Sequence, residues 1–595
     1  MNHQSLGDFA RSLEALGELH RVKVEVDPML EVTEIAVRAL LEGRPALLFE
    51  NVKGAKYPLA INLFASARRI ELALGKNPEE LGEELIHFVE QAMPPKPRLV
   101  VEHWPMVKRF LNARPKQVRK ALSQQVVEPP NLDDLPIQKC WPEDGGRFIT
   151  LGQVFTHDPR DGKRNVGVYR MQVYDQSSTG MHWQIQKGGG FHFYQAQKLG
   201  REFQIAVALG TDPAMLLAAI AALPEGIDEV MFASFLRGAP LPMARGKSIN
   251  IPVPAQAEFI LEGTVPLNET QLEGPFGDHF GHYSHAADFP IFRIKTITHR
   301  RNPIYPATVV GIPPMEDKYL GDATQQILGP LARLIHKEIK SVWAYYEAGF
   351  HNLLVVSVEQ RYQKEAMKSA LGLMGTDQLS LTKCIVLVSD HVNVRDWREV
   401  LREIKMNFDP HYDFVMIPKV PLDTLDFTSY KMNLGSKMIV DATVKPKGEG
   451  RRAKERDDER EKIEQVIADL PKEFPAIRQV RIHEGTLLLV KVASEGRKIV
   501  ESLVRKPELR ELKIIATVSE DVDLENQESY IWGVFTRFDG ERDVVFTKQM
   551  LVGISPVYYG VMGIDATWKP GYPAPLVMSE EIRERVNRRW NEYWK

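Results

Sequence analysis

Between residues 273 and 283 the chain reads Glu273-Gly-Pro-Phe-Gly-Asp278-His-Phe-Gly-His282-Tyr. Three glycines and a proline among nine residues describe a tight, irregular loop, the kind of element that holds functional groups on a rigid scaffold. Two acids in such a loop can divide the work of acid–base chemistry. Burial and a like-charged neighbour push one towards neutrality, so that it donates a proton while the other stays ionised. A polar β-turn has the same composition. His279, His282 and His285 invite a metal reading, but their i, i+3, i+6 spacing matches no standard zinc pattern and no cysteine stands beside them.

Two further segments carry candidate chemistry. Asn165-Val-Gly-Val-Tyr-Arg170 reads as a strand, which places Asn165 and Arg170 on opposite faces unless a bulge near Gly167 shifts the register. An arginine on a mostly apolar strand needs a carboxylate partner, in a site or in a structural salt bridge. Met181-His-Trp-Gln-Ile-Gln-Lys187-Gly188-Gly189-Gly190 runs into a helical pattern. Consecutive glycines ahead of a helix expose backbone N–H groups at its positive end, a cradle for phosphate; a glycine-rich hairpin turn would look alike.

The elements that must position these groups follow from periodicity. Residues 1–120 read as an α/β region, with a helix over 31–42 and a buried strand at Pro45–Phe49. Prolines at 94, 95, 97, 129 and 130 mark the passage to a β-rich domain over 121–315, with strand runs at 148–151, 166–174, 181–185 and 292–298. Two helical patterns, 190–200 and 213–223, interrupt it. Gln325–Tyr346 is predicted as one long amphipathic helix, kinked or begun at Gly329-Pro330, opening an α/β domain over 316–447. A charged linker spans 448–462. Residues 463–595 then repeat the preceding domain: 383–415 aligns without a gap to 513–545, with nine identities that include Lys383/Lys513, Phe408/Phe538 and Asp413/Asp543. The final helix, from Ser579, has Ile582, Val586, Trp590 and Tyr593 in one stripe, which predicts docking against the same subunit or a neighbour.

Composition excludes several classes. The 76 basic and 79 acidic residues among 595 leave a net charge of −3, against a nucleic-acid binder driven by bulk charge. The two cysteines, Cys140 and Cys384, are far apart, which excludes a disulfide scaffold or zinc ribbon and fits a reducing compartment. No signal peptide or membrane span is visible, so a cytoplasmic location is expected.

In order along the chain, Asn62-Leu-Phe64, Cys140-Trp-Pro-Glu-Asp, Asn165-Val-Gly-Val-Tyr-Arg-Met-Gln, Met181-His-Trp with Lys-Gly-Gly, Glu229 with Phe232-Ala and Leu-Arg-Gly238, Ala257-Glu-Phe-Ile-Leu-Glu-Gly263, the Glu273 loop, and Leu425-Asp-Phe with Leu434-Gly-Ser-Lys-Met and Asp441-Ala-Thr resemble the UbiD family of prenylated-flavin decarboxylases. The resemblance covers about residues 5 to 445. It implies a multidomain α/β protein: an N-terminal α/β region, a central FMN-binding split β-barrel and a C-terminal α/β domain, here duplicated. It implies prenylated FMN supplied by a partner flavin prenyltransferase, a divalent metal (Mn²⁺ or Mg²⁺) and K⁺. By the same resemblance Asn165 and Glu229 match metal ligands. Val168, Tyr169, Arg170, His182, Trp183, Gln184, Lys187 and Gly188 match cofactor-contacting positions, and Arg170, Glu273 and Asp278 match the catalytic set, with Asp278 as the neutral proton donor. Gln186 stands where relatives commonly have a metal-ligating histidine, and His182 where some carry arginine.

The activity so implied is non-oxidative decarboxylation of a small aromatic or conjugated carboxylate, of the kind used in quinone biosynthesis, by a homo-oligomer. Two rival readings are an FMN oxidoreductase on a split barrel and a non-catalytic subunit of a carboxylase assembly.

Overall fold

The computed structural model describes residues 3–91, 101–184, 187–224, 226–429, 431–446 and 457–595, with only the backbone of 457–462. The prolines at 94–97, Gln186 and positions 448–456 of the charged linker lie outside the described residues. The chain divides into two compact units, residues 1–328 with 574–595, and residues 329–573.

In the first unit, helix Glu31–Leu41 packs Val32, Ile35, Ala36, Ala39 and Leu40 inward, and strand Ala46–Phe49 is buried along its whole length. That strand pairs in parallel with Leu19–Val22 and antiparallel with Leu59–Ile61, which pairs in turn with Tyr305–Pro306. The β-rich part closes into a barrel of six antiparallel strands. Their order is Phe259–Val265, Phe203–Leu209, Phe148–His157, Arg164–Asp175, Ser178–Gly180 and Ala287–His299, the last pairing back onto the first. Closure leaves no free edge in this ring. One wall is covered by helices Pro213–Ile220 and Glu229–Arg237. Their Met215, Ala218, Val230 and Ala233 pack on Phe155, Val166, Ala206 and Ala208 of the strands.

Two sequence expectations give way here. Of the run read as a strand over 181–185, the described residues 181–184 form none: the strand ends at Gly180, and His182 and Trp183 sit in irregular chain beyond it, while position 185 lies outside the described residues. The long helix over 325–346 does not form either. A helix Glu316–Leu328 stops at Gly329-Pro330, a 3-10 turn and the short helix Ala332–Ile335 follow, and Ile339–Ala344 is a strand paired with Leu354–Val358. The proline cannot donate an N–H, and the residues after His336 find a sheet edge to pair with.

The second unit contains two five-stranded sheets with the same strand order and the same pairing senses, one over 339–441 and one over 477–566. The equivalent residues meet reciprocally. Lys383 Nζ donates to the Phe538 carbonyl and Lys513 Nζ to the Phe408 carbonyl, each at 2.8 Å. Such mutual contact is the signature of an isologous, two-fold interface, built here within one chain.

The terminal helix, Glu580–Arg589, belongs to the first unit. Ile582, Val586, Trp590 and Tyr593 are all buried there, so of the two alternatives for the apolar stripe, the same subunit or a neighbour, it docks within this chain. Tyr593 Oη donates to Glu31 Oε1 at 2.7 Å, and Arg38 stacks 4.0 Å over the Trp590 ring. Among the described residues no helix is long and apolar enough to cross a membrane.

Candidate active site

The strand Arg164–Asp175 carries a polar group near each end. The register shift in its pairing falls between Ile149 and Gly152 of the neighbouring strand, opposite Arg170, and the strand keeps its alternation from Asn165 to Tyr169. No bulge at Gly167 shifts the register; the irregularity is on the partner strand. Asn165 and Tyr169 share one face, and Arg170 projects from the other.

At the Asn165 end lies a glycine cradle. A Cβ on Gly188 would stand 2.1 Å from the Asn165 amide, so no larger residue fits where helix Gly188–Leu199 begins. The Asn165 amide oxygen accepts from Val166 N and Gly189 N at 3.2 Å each. Glu229 Oε2 accepts from the same Val166 N–H at 3.0 Å. Glu229 opens its helix behind the cap residue Asp228, which is held by Arg164 at 2.7 Å. Burial pushes the Glu229 carboxyl up to about 7, outweighing its backbone N–H donors and the Arg164 charge that Asp228 already engages. Tyr169 Oη accepts from Gly189 N, and Trp183 lies edge-on to the Tyr169 ring at 5.1 Å. Lys187 caps the helix without a side-chain capping bond, Gln184 is half-buried beside Gly190, and Val168 packs on the barrel wall.

At the other end Arg170 meets both loop acids. Its Nε donates to Glu273 Oε1 at 3.0 Å and its Nη1 to Asp278 Oδ2 at 2.5 Å, with the guanidinium 4.8 Å over the Phe276 ring. Glu273 ends strand Thr270–Glu273 and is fully buried. His182 Nδ1 reaches the same Glu273 oxygen at 2.8 Å, and His279 Nδ1 reaches Asp278 Oδ1 at 2.7 Å. Burial and the nearby Arg170 charge keep His182 neutral, so its Nδ1–H donates to Glu273. Burial opposes ionisation of both acids. For Glu273 the His182 hydrogen bond and Arg170 outweigh it, and for Asp278 His279 and Arg170 do, so both carboxyls lie below their ordinary range. Two donors thus converge on Asp278 and favour its carboxylate form, whereas the resemblance implied a neutral acid there. His282 Nδ1 is turned to the Phe280 carbonyl and takes no part in this pairing.

The two ends are five residues apart on one strand, about 17 Å at the extended rise. Three buried polar atoms of the residues around this strand have no hydrogen-bond partner among the described residues: His182 Nε2, Trp183 Nε1 and Glu273 Oε2. Sequence reasoning named Arg170, Glu273 and Asp278 together. It missed His182 and His279 as partners of the acids, since His182 and Glu273 are 91 positions apart and only the barrel brings them into contact. The His adjacent to Asp278 is visible in the sequence, but there it reads only as a metal ligand, and its spacing speaks against that.

Family models match almost the whole chain. The 3-octaprenyl-4-hydroxybenzoate carboxy-lyase N-terminal domain matches residues 10–89, the Rift-related domain 115–313, and the C-terminal domain 318–442 and 463–565. An uncharacterised protein of Archaeoglobus fulgidus is 47% identical over 452 residues, 76% of this chain and 94% of the relative. A 4-hydroxybenzoate decarboxylase component of Chlamydia pneumoniae is 33% identical, over 97% of this chain and 96% of its own. Among solved structures, the vanillic acid decarboxylase of Sedimentibacter hydroxybenzoicus aligns with a TM-score of 0.68 at 27% identity, covering 79% of this chain and 99% of that one. The UbiD-class enzyme HmfF of Pelotomaculum thermopropionicum, solved with FMN, aligns with a TM-score of 0.63 at 27% identity, covering 76% and 97%. With a six-stranded barrel holding an arginine between two buried acids, and all three family domains in order, the chain belongs to the UbiD family of carboxy-lyases.

Proposed function

We propose that this carboxy-lyase removes CO₂ without net oxidation from an aromatic or conjugated acid, the ring acid of a quinone precursor being the favoured class. The observation that carries the reading is Arg170 shared between Glu273 and Asp278 at one end of the strand whose other end forms the glycine cradle. Prenylated FMN, delivered by a flavin prenyltransferase, is the cofactor of this reading. The cradle suits a phosphate at a helix N-terminus, and the unpartnered His182, Trp183 and Glu273 atoms suit a polar ligand. Asn165 and Glu229 would hold a divalent metal, with K⁺ as a further ion; the buried, raised Glu229 carboxyl supports the divalent site, since a cation there would offset its charge. Among the described residues no group of three or more His, Cys, Asp or Glu is arranged for a metal, so the remaining ligands would come from phosphate and water.

When bound, the prenylated flavin supplies an electron sink for the pair left by departing CO₂. The rest falls to the protein. A substrate carboxylate competes with Asp278 for the Arg170 fork, which binds carboxylates through paired donors. Asp278 then loses a cation and its affinity for a proton rises. His279, whose side chain is 22% exposed, connects it to solvent protons. After the C–C bond breaks, Asp278 delivers the proton to the carbon that carried the carboxylate, and His279 restores it. Glu273, held by His182, keeps Arg170 aimed. We also infer that the second unit arose by duplication, and that the enzyme is a homo-oligomer whose contacts do not use the terminal helix stripe.

The test is mass spectrometry of the flavin from enzyme matured with a prenyltransferase, followed by CO₂ release from hydroxybenzoates, naphthoates and acrylates. A prenylated mass with CO₂ from an aromatic acid is expected; plain FMN with no CO₂ from any acid overturns the reading.

A further inference from the structure

The segment Ala574–Met578 lies beyond residue 565, the last position the family models match, and it runs along the loop that carries Asp278. Tyr283 N donates to the Ala574 carbonyl at 3.1 Å, and Leu576 N donates to the Gly281 carbonyl at 2.9 Å. Between them Pro575 faces His282 in an isolated antiparallel bridge. Leu576 and Met578 are buried. The Leu576 side chain closes on Gly277 so tightly that a Cβ there would lie 2.9 Å from its Cδ2, and 2.2 Å from Trp141 on the other side.

The loop is a short hairpin, closed at its base by the antiparallel pairing of Phe276–Gly277 with Tyr283–Ser284. Asp278 N donates to the His282 carbonyl at 3.1 Å and Gly281 N to the Asp278 carbonyl at 2.9 Å. On one flank Asp144 accepts from Gly277 N at 2.8 Å, while also accepting from Cys140 N and Trp141 N. On the other flank the backbone bonds run to 574–576. A glycine-rich hairpin whose strands are two residues long is marginal by itself and takes its order from what packs and bonds along its flanks. Residues 574–578 continue into the terminal helix, which is fixed by Tyr593 on Glu31 and by Arg38 Nη1 on Asn587 at 2.7 Å.

We propose that Ala574–Met578 is a positioning strap for the Asp278 loop, and that the terminal helix is its anchor. The strap holds Asp278 where it meets Arg170 and His279 together, a placement in which an error of about 1 Å costs roughly 10²-fold in rate. The kinetic consequence rests on the reading of Asp278 as the reactive acid. The ordering of the loop does not.

Two variants of the flavin-loaded enzyme test it: a chain ending at Met578, and Leu576→Ala. Hydrogen exchange of residues 277–283, read by mass spectrometry, is expected to quicken about tenfold in both. Flavin absorbance is expected to stay unchanged. Turnover is expected to fall about tenfold or more with KM nearly constant, and Leu576→Met to restore it. Wild-type exchange across 277–283 in both variants overturns the proposal. Faster exchange alongside an Asp278→Asn enzyme of undiminished turnover upholds the strap and instead removes Asp278 from its role as the acid.

Discussion

His182 Nδ1 and Glu273 Oε1 stand 2.8 Å apart inside the barrel, both side chains buried, and the same carboxylate oxygen also takes the Nε–H of Arg170. A neutral imidazole therefore adds a second donor to a carboxylate that burial alone would drive towards protonation. Replacing His182 with leucine removes that donor and leaves Arg170 alone to keep Glu273 ionised. The acid limb of the kcat/KM profile should move to higher pH, and His182→Asn, which keeps an N–H in place, should move it less. An acid limb at the wild-type pH in the leucine variant would show that Glu273 does not govern that limb.

Glu273→Gln keeps the shape of the site and loses the charge that aims Arg170. Turnover should fall by about 10²–10⁴-fold, the range of a lost acid–base group, with flavin occupancy unchanged. Near-normal decarboxylation, measured as CO₂ release, would remove Glu273 from the mechanism.

Glu229→Ala should cost the protein its metal and its flavin together, because the phosphate would then face a pocket without compensating charge. Elemental analysis and flavin absorbance of the same sample decide it. Full flavin occupancy in a metal-free variant contradicts the bridging role.

Acid stability follows from the two depressed carboxyls. A carboxylate held below its unfolded value contributes stability that is complete above the unfolded range, about pH 4, and is lost as the pH falls through the folded value. The Tm of the wild type should therefore drop below about pH 4 more steeply than that of Asp278→Asn, which has lost one such group. Parallel Tm curves from pH 3 to 6 would mean that Asp278 titrates normally.

Lys383 pairs with Asp426 at 2.9 Å, both fully buried, and closes the Phe538 carbonyl. Lys383→Met strands the aspartate, at a cost of about 3–5 kcal/mol in urea unfolding. A cost under about 1 kcal/mol would mean that the buried Asp426 charge is compensated without Lys383.

The sequence by itself determined the strand around Arg170, the glycine run ahead of a helix, the acidic loop and the repeat of 383–415 at 513–545. These are carried by neighbours along the chain: alternation, turn residues and residue identities within a short window. What it could not determine depends on approach through space. The predicted helix over 325–346 failed because Ile339–Ala344 had a sheet edge to join, and residues 181–184 left the strand pattern as His182 turned to Glu273. The Trp590 stripe announced a docking surface, but only the fold showed that it lies on the Glu31 helix. The loop alone leaves open which of its two acids would be neutral, and the family resemblance implies Asp278. Its lowered proton affinity comes from His279 and from Arg170, 108 positions away, acting against a burial that opposes ionisation, since a carboxyl's proton affinity is set by the charges and solvent around it rather than by its place in the chain.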